Sequence, residues 1–196
     1  MKIGVFALQG AFAEHEVVLR RLGAEVREIR QRADLDDSFD GFLLPGGEST
    51  VIGKLLGELG LQQPLEEQID RGIPVFGTCA GLLLLAKQIE NQETTYLAKM
   101  DIAAKRNAYG RQLGSFTAQA AFADVGEIPM VFIRAPYISR TFGAAQPLAT
   151  VDGKVVAARQ ANLLVTAFHP ELTADTRVHA YFLDMVRTAA KTGRTA

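Results

Sequence analysis

The segment Gly77-Thr78-Cys79-Ala80-Gly81 lies between two apolar runs, Ile73-Pro74-Val75-Phe76 before it and Leu82-Leu83-Leu84-Leu85-Ala86 after it. Apolar residues on both sides of a glycine-punctuated turn spell a buried strand, a sharp reversal and a helix. Glycines two before and two after the cysteine leave room for a strained turn and close packing. A side chain at the apex stands at the end of a sheet, and the helix that follows aims its first N–H groups at it. A cysteine there is a candidate nucleophile, because the helix dipole favours the thiolate and lowers its pKa. The plainer reading is a buried structural cysteine. Cys79 is the only cysteine among 196 residues, so no second one offers a disulfide or a zinc site.

The residues around this turn repeat the same alternation. Residues 3–8, 25–29, 41–44 and 73–76 are short apolar runs, and residues 11–22, 49–59 and 64–71 between them have helical spacing. In 11–22, Val17, Val18 and Leu22 supply the apolar side, with Glu and Arg opposite, and Gly23 fits a C-cap. Pro45 stops one strand, and Gly60 and Gly72 stop helices. Residues 80–89 are expected as the helix after the cysteine turn. Apolar strands that alternate with helices imply a parallel sheet covered on both faces, an α/β fold.

The pattern changes past residue 100. Residues 100–105, 116–122, 130–134, 148–151, 154–159 and 163–168 are short β-like runs, and Asp152-Gly153 between two of them is a hairpin signal. The last helix is expected at about 175–190, with Val178, Tyr181, Phe182, Met185 and Val186 spaced i, i+3, i+4, i+7, i+8. The expectation is a mostly parallel sheet with added antiparallel strands in the second half. Residues 1–190 are expected to form one domain, and 191–196 a frayed tail.

Composition narrows the function classes. A net charge of −1 gives no electrostatic case for nucleic acid or for an anionic membrane. No apolar stretch approaches the roughly 18–20 residues that span a bilayer. The N-terminal run Ile3–Leu8 is short and ends at Gln9, so a buried strand fits it better than a signal peptide. A lone cysteine suits a reducing cytoplasm.

Three segments should converge, because ligands of open α/β sheets bind beyond the carboxyl ends of strands. Cys79 ends one strand, Pro45-Gly46-Gly47-Glu48-Ser49-Thr50 ends another, and His169-Pro170-Glu171 follows a third. A cysteine nucleophile needs a base, and the base needs an orienting group. His15 and His179 lie in amphipathic helices, where a solvated or helix-packing role is the default. His169 stands at a strand end, with Glu171 close enough to accept its N–H and set its tautomer. Taken alone, His-Pro-Glu also fits a surface turn. A metal site is not expected, since no third ligand has a recognisable spacing.

Gly46-Gly47 could present N–H groups to an oxyanion, with the Ala80 N–H as the other donor, or could simply serve a tight turn. No Lys-Ser/Thr closes this loop as a phosphate loop would require. The basic stretch Lys105-Arg106-Asn107-Ala108-Tyr109-Gly110-Arg111 fits a solvated turn or a carboxylate-clamping arginine better than a nucleic-acid site.

Together these motifs resemble the class I, triad-type glutamine amidotransferases. Within that class the chain is most similar to glutaminase subunits of pyridoxal 5′-phosphate synthase. The matching stretches are Ala7-Leu8-Gln9-Gly10, Leu44 to Thr50, Phe76 to Leu82, Arg106 to Gln112, Phe132-Ile133-Arg134-Ala135-Pro136 and Phe168 to Leu172. One departure is Leu113-Gly114-Ser115-Phe116-Thr117, where a more acidic pattern is expected.

The resemblance implies a flavodoxin-like three-layer sandwich that hydrolyses L-glutamine without a cofactor. It makes Cys79 the nucleophile, His169 the base and Glu171 its orienter. Gly46, Gly47 and Glu48 would line the glutamine site, and Arg106, Ile133 and Arg134 would hold the amino-acid end. Gly47 and Ala80 would supply the oxyanion donors, and Gln9 and Gly10 would lie near the site and the docking face. The implied partner is a (β/α)8-barrel synthase subunit that receives the ammonia. The residues alone leave open a glutaminase of another pathway, a stand-alone cysteine hydrolase and a non-catalytic binding module.

Overall fold

The first four strands and their helices follow the expected alternation in a computed structural model that describes residues 1–106 and 114–192. In chain order these elements are β1 (Lys2–Phe6), α1 (Phe12–Arg21), β2 (Glu25–Ile29), β3 (Gly41–Leu44), α2 (Ser49–Glu58), α3 (Gln62–Asp70), β4 (Val75–Thr78) and α4 (Ala80–Leu85). Then come β5 (Ala86–Ile89), β6 (Met100–Lys105), β7 (Ser115–Phe122), β8 (Gly126–Ile133), β9 (Tyr137–Thr141), β10 (Gln146–Val151), β11 (Lys154–Gln160), β12 (Leu163–Thr166) and α5 (Arg177–Thr192).

The main path of the 12-stranded sheet runs β2-β1-β3-β4-β12-β11-β10-β7-β8. From β2 to β12 all neighbours are parallel, and from β12 to β8 all are antiparallel. The four residues of β3, β4 and β12 are buried throughout, as strands covered on both faces must be. Helices flank them on both sides. Phe76 sends its ring to His179 and Phe182 of α5, whereas its neighbour Gly77 backs onto Gly81 and Leu85. Successive strand residues face opposite ways, so α5 lies on one face and α4 on the other. This is the three-layer α/β arrangement anticipated from the sequence.

Several expectations need correction. The helix after Cys79 ends at Leu85, and Ala86–Ile89 forms β5, parallel to β6. A continuous apolar run carries no period of its own, so pairing with β6 decides its second half. β9 was not anticipated; it bridges β6 and β11. β8 begins at Gly126 and contains Pro129, which an edge strand tolerates because a missing N–H costs no ladder bond there.

In α1 the inward stripe is His15, Val18, Leu19 and Leu22, while Val17 is 59% exposed. The Asp152-Gly153 hairpin forms between β10 and β11 with both residues at positive φ, as a type I′ turn requires. α5 continues through Thr192, so the expected fray does not begin at Lys191, and residues 193–196 lie outside the described residues. Among the described residues, no helix is long and apolar enough to cross a membrane.

Candidate active site

Cys79 occupies a backbone conformation that side-chain-bearing residues rarely adopt, φ 48° and ψ −95°. The turn is held from both sides. The Cys79 N–H donates to Thr166 O on β12 at 2.7 Å, and a Cβ on Gly77 would lie 2.7 Å from the Gly81 backbone. A Cβ on Gly81 would collide with Leu44 O. The two glycines around the cysteine therefore set how closely α4 approaches β3 and β4.

His169 comes off the end of β12, the strand next to β4. Its N–H donates to Val131 O at 2.8 Å. Its Nδ1 is 2.7 Å from Glu171 Oε1, whose residue belongs to a 3₁₀ turn, Pro170–Leu172. That leaves Nε2 to face the cysteine, which lines the same cleft. Burial works against charge on this ring, yet its neighbours Cys79 and Glu171 push its pKa up to about 10. The imidazole therefore carries a proton at neutral pH while it faces the sulfur.

These groups stand on the wall of a cleft of about 720 Å³. Gln9, Gly10, Gly46, Gly47, Glu48, Cys79, Ala80, Arg106, Ile133, Arg134 and His169 all line it, so each residue singled out from the sequence reaches it except Glu171, which is buried behind His169. The loop contacts are close. A Cβ on Gly46 would lie 2.5 Å from His169 Cε1, and one on Gly10 would collide with Gly46 O. Ala11 N donates to Gly46 O at 3.0 Å, and Glu48 N donates to Gln9 Oε1 at 2.7 Å.

Two arginines reach the mouth. Arg106 donates to Glu48 Oε1 and Gln92 Oε1, each at 3.0 Å, and to Ser49 Oγ. Arg134 has φ 43°, with its N–H on Gly114 O at 2.7 Å. Among the described residues its guanidinium has no ion pair. Asn107 to Gln112, and Leu113 of the divergent stretch, lie outside the described residues. Ser115 opens β7, and the Phe116 ring stacks on Phe132 at 4.5 Å.

The default assigned to His15 and His179 needs correction in one respect: neither is solvated. Both are 0% exposed and they meet each other, His15 Nδ1 to His179 Nε2 at 2.9 Å. His15 Nε2 is 3.1 Å from Thr78 Oγ1 and 3.3 Å from Glu171 Oε2. The chain's three histidines thus form one row with Glu171, running inward from Cys79. Helical spacing carried the signal: His15 heads the stripe with Val18, Leu19 and Leu22, and His179 aligns with Phe182, Leu183 and Val186.

Known proteins resemble the chain along nearly its whole length. A pyridoxal 5′-phosphate synthase subunit PdxT of Carboxydothermus hydrogenoformans is 55% identical over 188 residues, 95% of this chain and 98% of its own. One of the same name from Haemophilus influenzae is 53% identical over 192 residues, 96% of this chain and 100% of its own. A crystal structure of a glutamine amidotransferase superposes with a TM-score of 0.89 at 41% identity, covering 94% of this chain and 98% of that one. A putative GMP synthase component from Thermoplasma acidophilum shares the fold at 18% identity, with a TM-score of 0.72 over 99% of this chain and 98% of that one. The model of the SNO glutamine amidotransferase family matches residues 5–188, and the chain belongs to that family.

Proposed function

We propose that the chain hydrolyses L-glutamine to L-glutamate and ammonia and passes the ammonia to a synthase subunit that makes pyridoxal 5′-phosphate. One observation carries the chemistry: Cys79 and His169 line one cleft, and behind them Glu171 is hydrogen-bonded to His169 Nδ1. With the cysteine proton already held on His169, the thiolate attacks the side-chain amide carbon of glutamine. Negative charge on the amide oxygen is met by the N–H groups of Gly47 and Ala80. Protonated His169 gives its proton to the leaving nitrogen, so ammonia departs and a thioester remains. Water, deprotonated by the same imidazole, cleaves the thioester to glutamate. Glu171 holds the Nδ1–H and stabilises the imidazolium.

Gly46, Gly47 and Glu48 form the floor of the glutamine site. Arg134, beside Ile133, and Arg106 hold the amino-acid end, since guanidinium groups pair well with carboxylates. Gln9 and Gly10 adjoin the site at the face where the (β/α)8-barrel partner docks. Residues 1–190 act as one amidotransferase domain, a reading supported by the single sheet that runs through them. A reducing cytoplasm suits the lone reactive thiol.

The test is ammonia release from glutamine, with and without a pyridoxal 5′-phosphate synthase subunit, for the parent chain and Cys79→Ala. Partner-stimulated release that falls at least about 1,000-fold in the variant is expected. Release that ignores the partner would move the enzyme to another pathway. Activity retained by Cys79→Ala would end the triad reading.

A further inference from the structure

Behind Glu171 the buried row continues past what triad chemistry requires. Glu171 Oε1 is taken by His169, but Oε2, also buried, has no hydrogen-bond partner among the described residues. The polar atom set against it is His15 Nε2, 3.3 Å away, whose hydrogen bond goes to Thr78 Oγ1 at 3.1 Å. On its far side His15 Nδ1 meets His179 Nε2 at 2.9 Å, and His179 Nδ1 has no partner among the described residues.

These contacts assign the protons. If His15 carried its proton on Nδ1, a bare nitrogen lone pair would face a buried carboxylate at 3.3 Å, which is repulsive. His179 would then need its own proton on Nδ1, where no described residue accepts it. The opposite arrangement removes the repulsion and leaves His179 Nδ1 with a bare lone pair in place of an orphaned N–H. His179 Nε2–H donates to His15 Nδ1, and His15 Nε2–H turns toward Thr78 and the Glu171 carboxylate.

From this arrangement we propose that His15 is a positioning residue for Glu171, with His179 locking its tautomer. The proposal rests on the triad reading above. His15 acts through Glu171: a fixed N–H dipole beside Oε2 partly replaces lost solvation and keeps the carboxylate aimed at His169. Thr78, the residue before the nucleophile, ties the same N–H to the cysteine turn. The rings are wedged edge-on against Phe76, His15 at 6.3 Å and His179 at 5.8 Å between centroids.

The titratable groups facing His15 are His179 from α5, Glu171 from the 3₁₀ turn and, beyond it, His169; Glu16, next on α1, pairs with Arg20. Burial, and then the charges that His179 and His169 can carry, hold His15 well below the ordinary imidazole range. Burial holds His179 at about 4. Both rings are thus neutral while His169 carries charge. A protonated His15 would compete with His169 for the same carboxylate.

The test compares His15→Phe, which fills the space without a donor, with His15→Gln, whose amide N–H can reach Oε2. Both are assayed for glutamine hydrolysis in the assembled complex across pH, beside the parent. Expected for His15→Phe is a kcat about 10- to 100-fold lower with KM for glutamine within about twofold. Its pH profile should differ from the parent's, and His15→Gln should recover most of the loss. A folded His15→Phe with parental kcat and pH profile would overturn the proposal, as would equal loss in both variants. Nitrogen-15 spectra of the imidazoles in the unsubstituted chain read the tautomer directly, whether or not the variants fold and whether or not glutamine is the substrate. A neutral His15 with its proton on Nε2 is expected, and a proton on Nδ1 or an imidazolium at pH 7 would overturn the proposal.

Discussion

The two sides of the His169 ring are built from different materials. Toward the cleft it meets backbone: Gly46 packs on the ring edge, Gly47 and Gly10 crowd behind, and the charged side chains at the mouth are at least partly open to solvent. Away from the cleft it meets only buried side chains, Glu171 and then the two neutral histidines. The front is shaped by what side chains are missing, and the back by what side chains are present. Changes at the front should alter how substrate is held, and changes at the back how the proton is held.

The largest expected effect lies at the back. Glu171→Gln keeps the shape but removes the charge that pairs with the imidazolium, and kcat should fall roughly 1,000-fold with little change in KM. A fall in affinity alone would erase the distinction between the two sides.

Next comes acid stability, again a property of the back. His179 has a folded pKa of about 4, below the 6.5 of an unfolded histidine. The unfolded chain therefore binds more protons in between, and stability present above pH 6.5 is lost as pH falls toward 4. Over that window the folding equilibrium should drop by roughly 100-fold, about 3 kcal/mol. His15, also depressed by burial, adds a loss of the same sign. Denaturant titrations at pH 4, 5 and 7 measure the slope, and His179→Phe should flatten it. A parental chain equally stable at pH 4 and 7 would mean that the row is hydrated or charged.

At the front, Gly46→Ala should lower kcat/KM by about 100-fold, because its methyl group would press on His169 Cε1 and tilt the ring. Arg134→Ala should raise KM for glutamine about tenfold and leave kcat within about threefold, since it touches the end of the substrate that does not react. If kcat fell as far as for Glu171→Gln, the front would be part of the proton machinery after all.

The sequence was most legible where residue type and spacing make one demand at a time. The turn at Cys79 needs glycine on both sides for steric reasons, and Asp152-Gly153 names its own turn type, so both could be placed without tertiary information. Cys79, Gly46-Gly47 and His169 were singled out for the same reason, since each follows a strand that ends at a recognisable stop, whereas Gln9, Gly10, Ile133 and Arg134 came only with the family resemblance. Four leucines in a row fit either helix or strand, and only pairing with β6 ends α4 at Leu85. β9 lies beside β6 and β11, a neighbourhood set by long-range contacts. The buried histidines were hidden by their type. Histidine on an amphipathic helix is often solvated, and only its place within the 15-18-19-22 stripe marked it as inward.

Cys79 and His169 extend from neighbouring parallel strands, with Thr78 opposite Thr166 and the cysteine amide bonded to Thr166 O. The strands that carry nucleophile and base are therefore one ladder spacing apart, about 4.8 Å between chains. A ruler made of central backbone hydrogen bonds cannot stretch by degrees. On warming, the reactive pair should stay at its working separation until β4 and β12 part, and those strands run through the most buried part of the sheet. Loss of thiol reactivity and loss of the fold should then be a single event, with the Cys79 amide among the last to exchange its hydrogen with solvent.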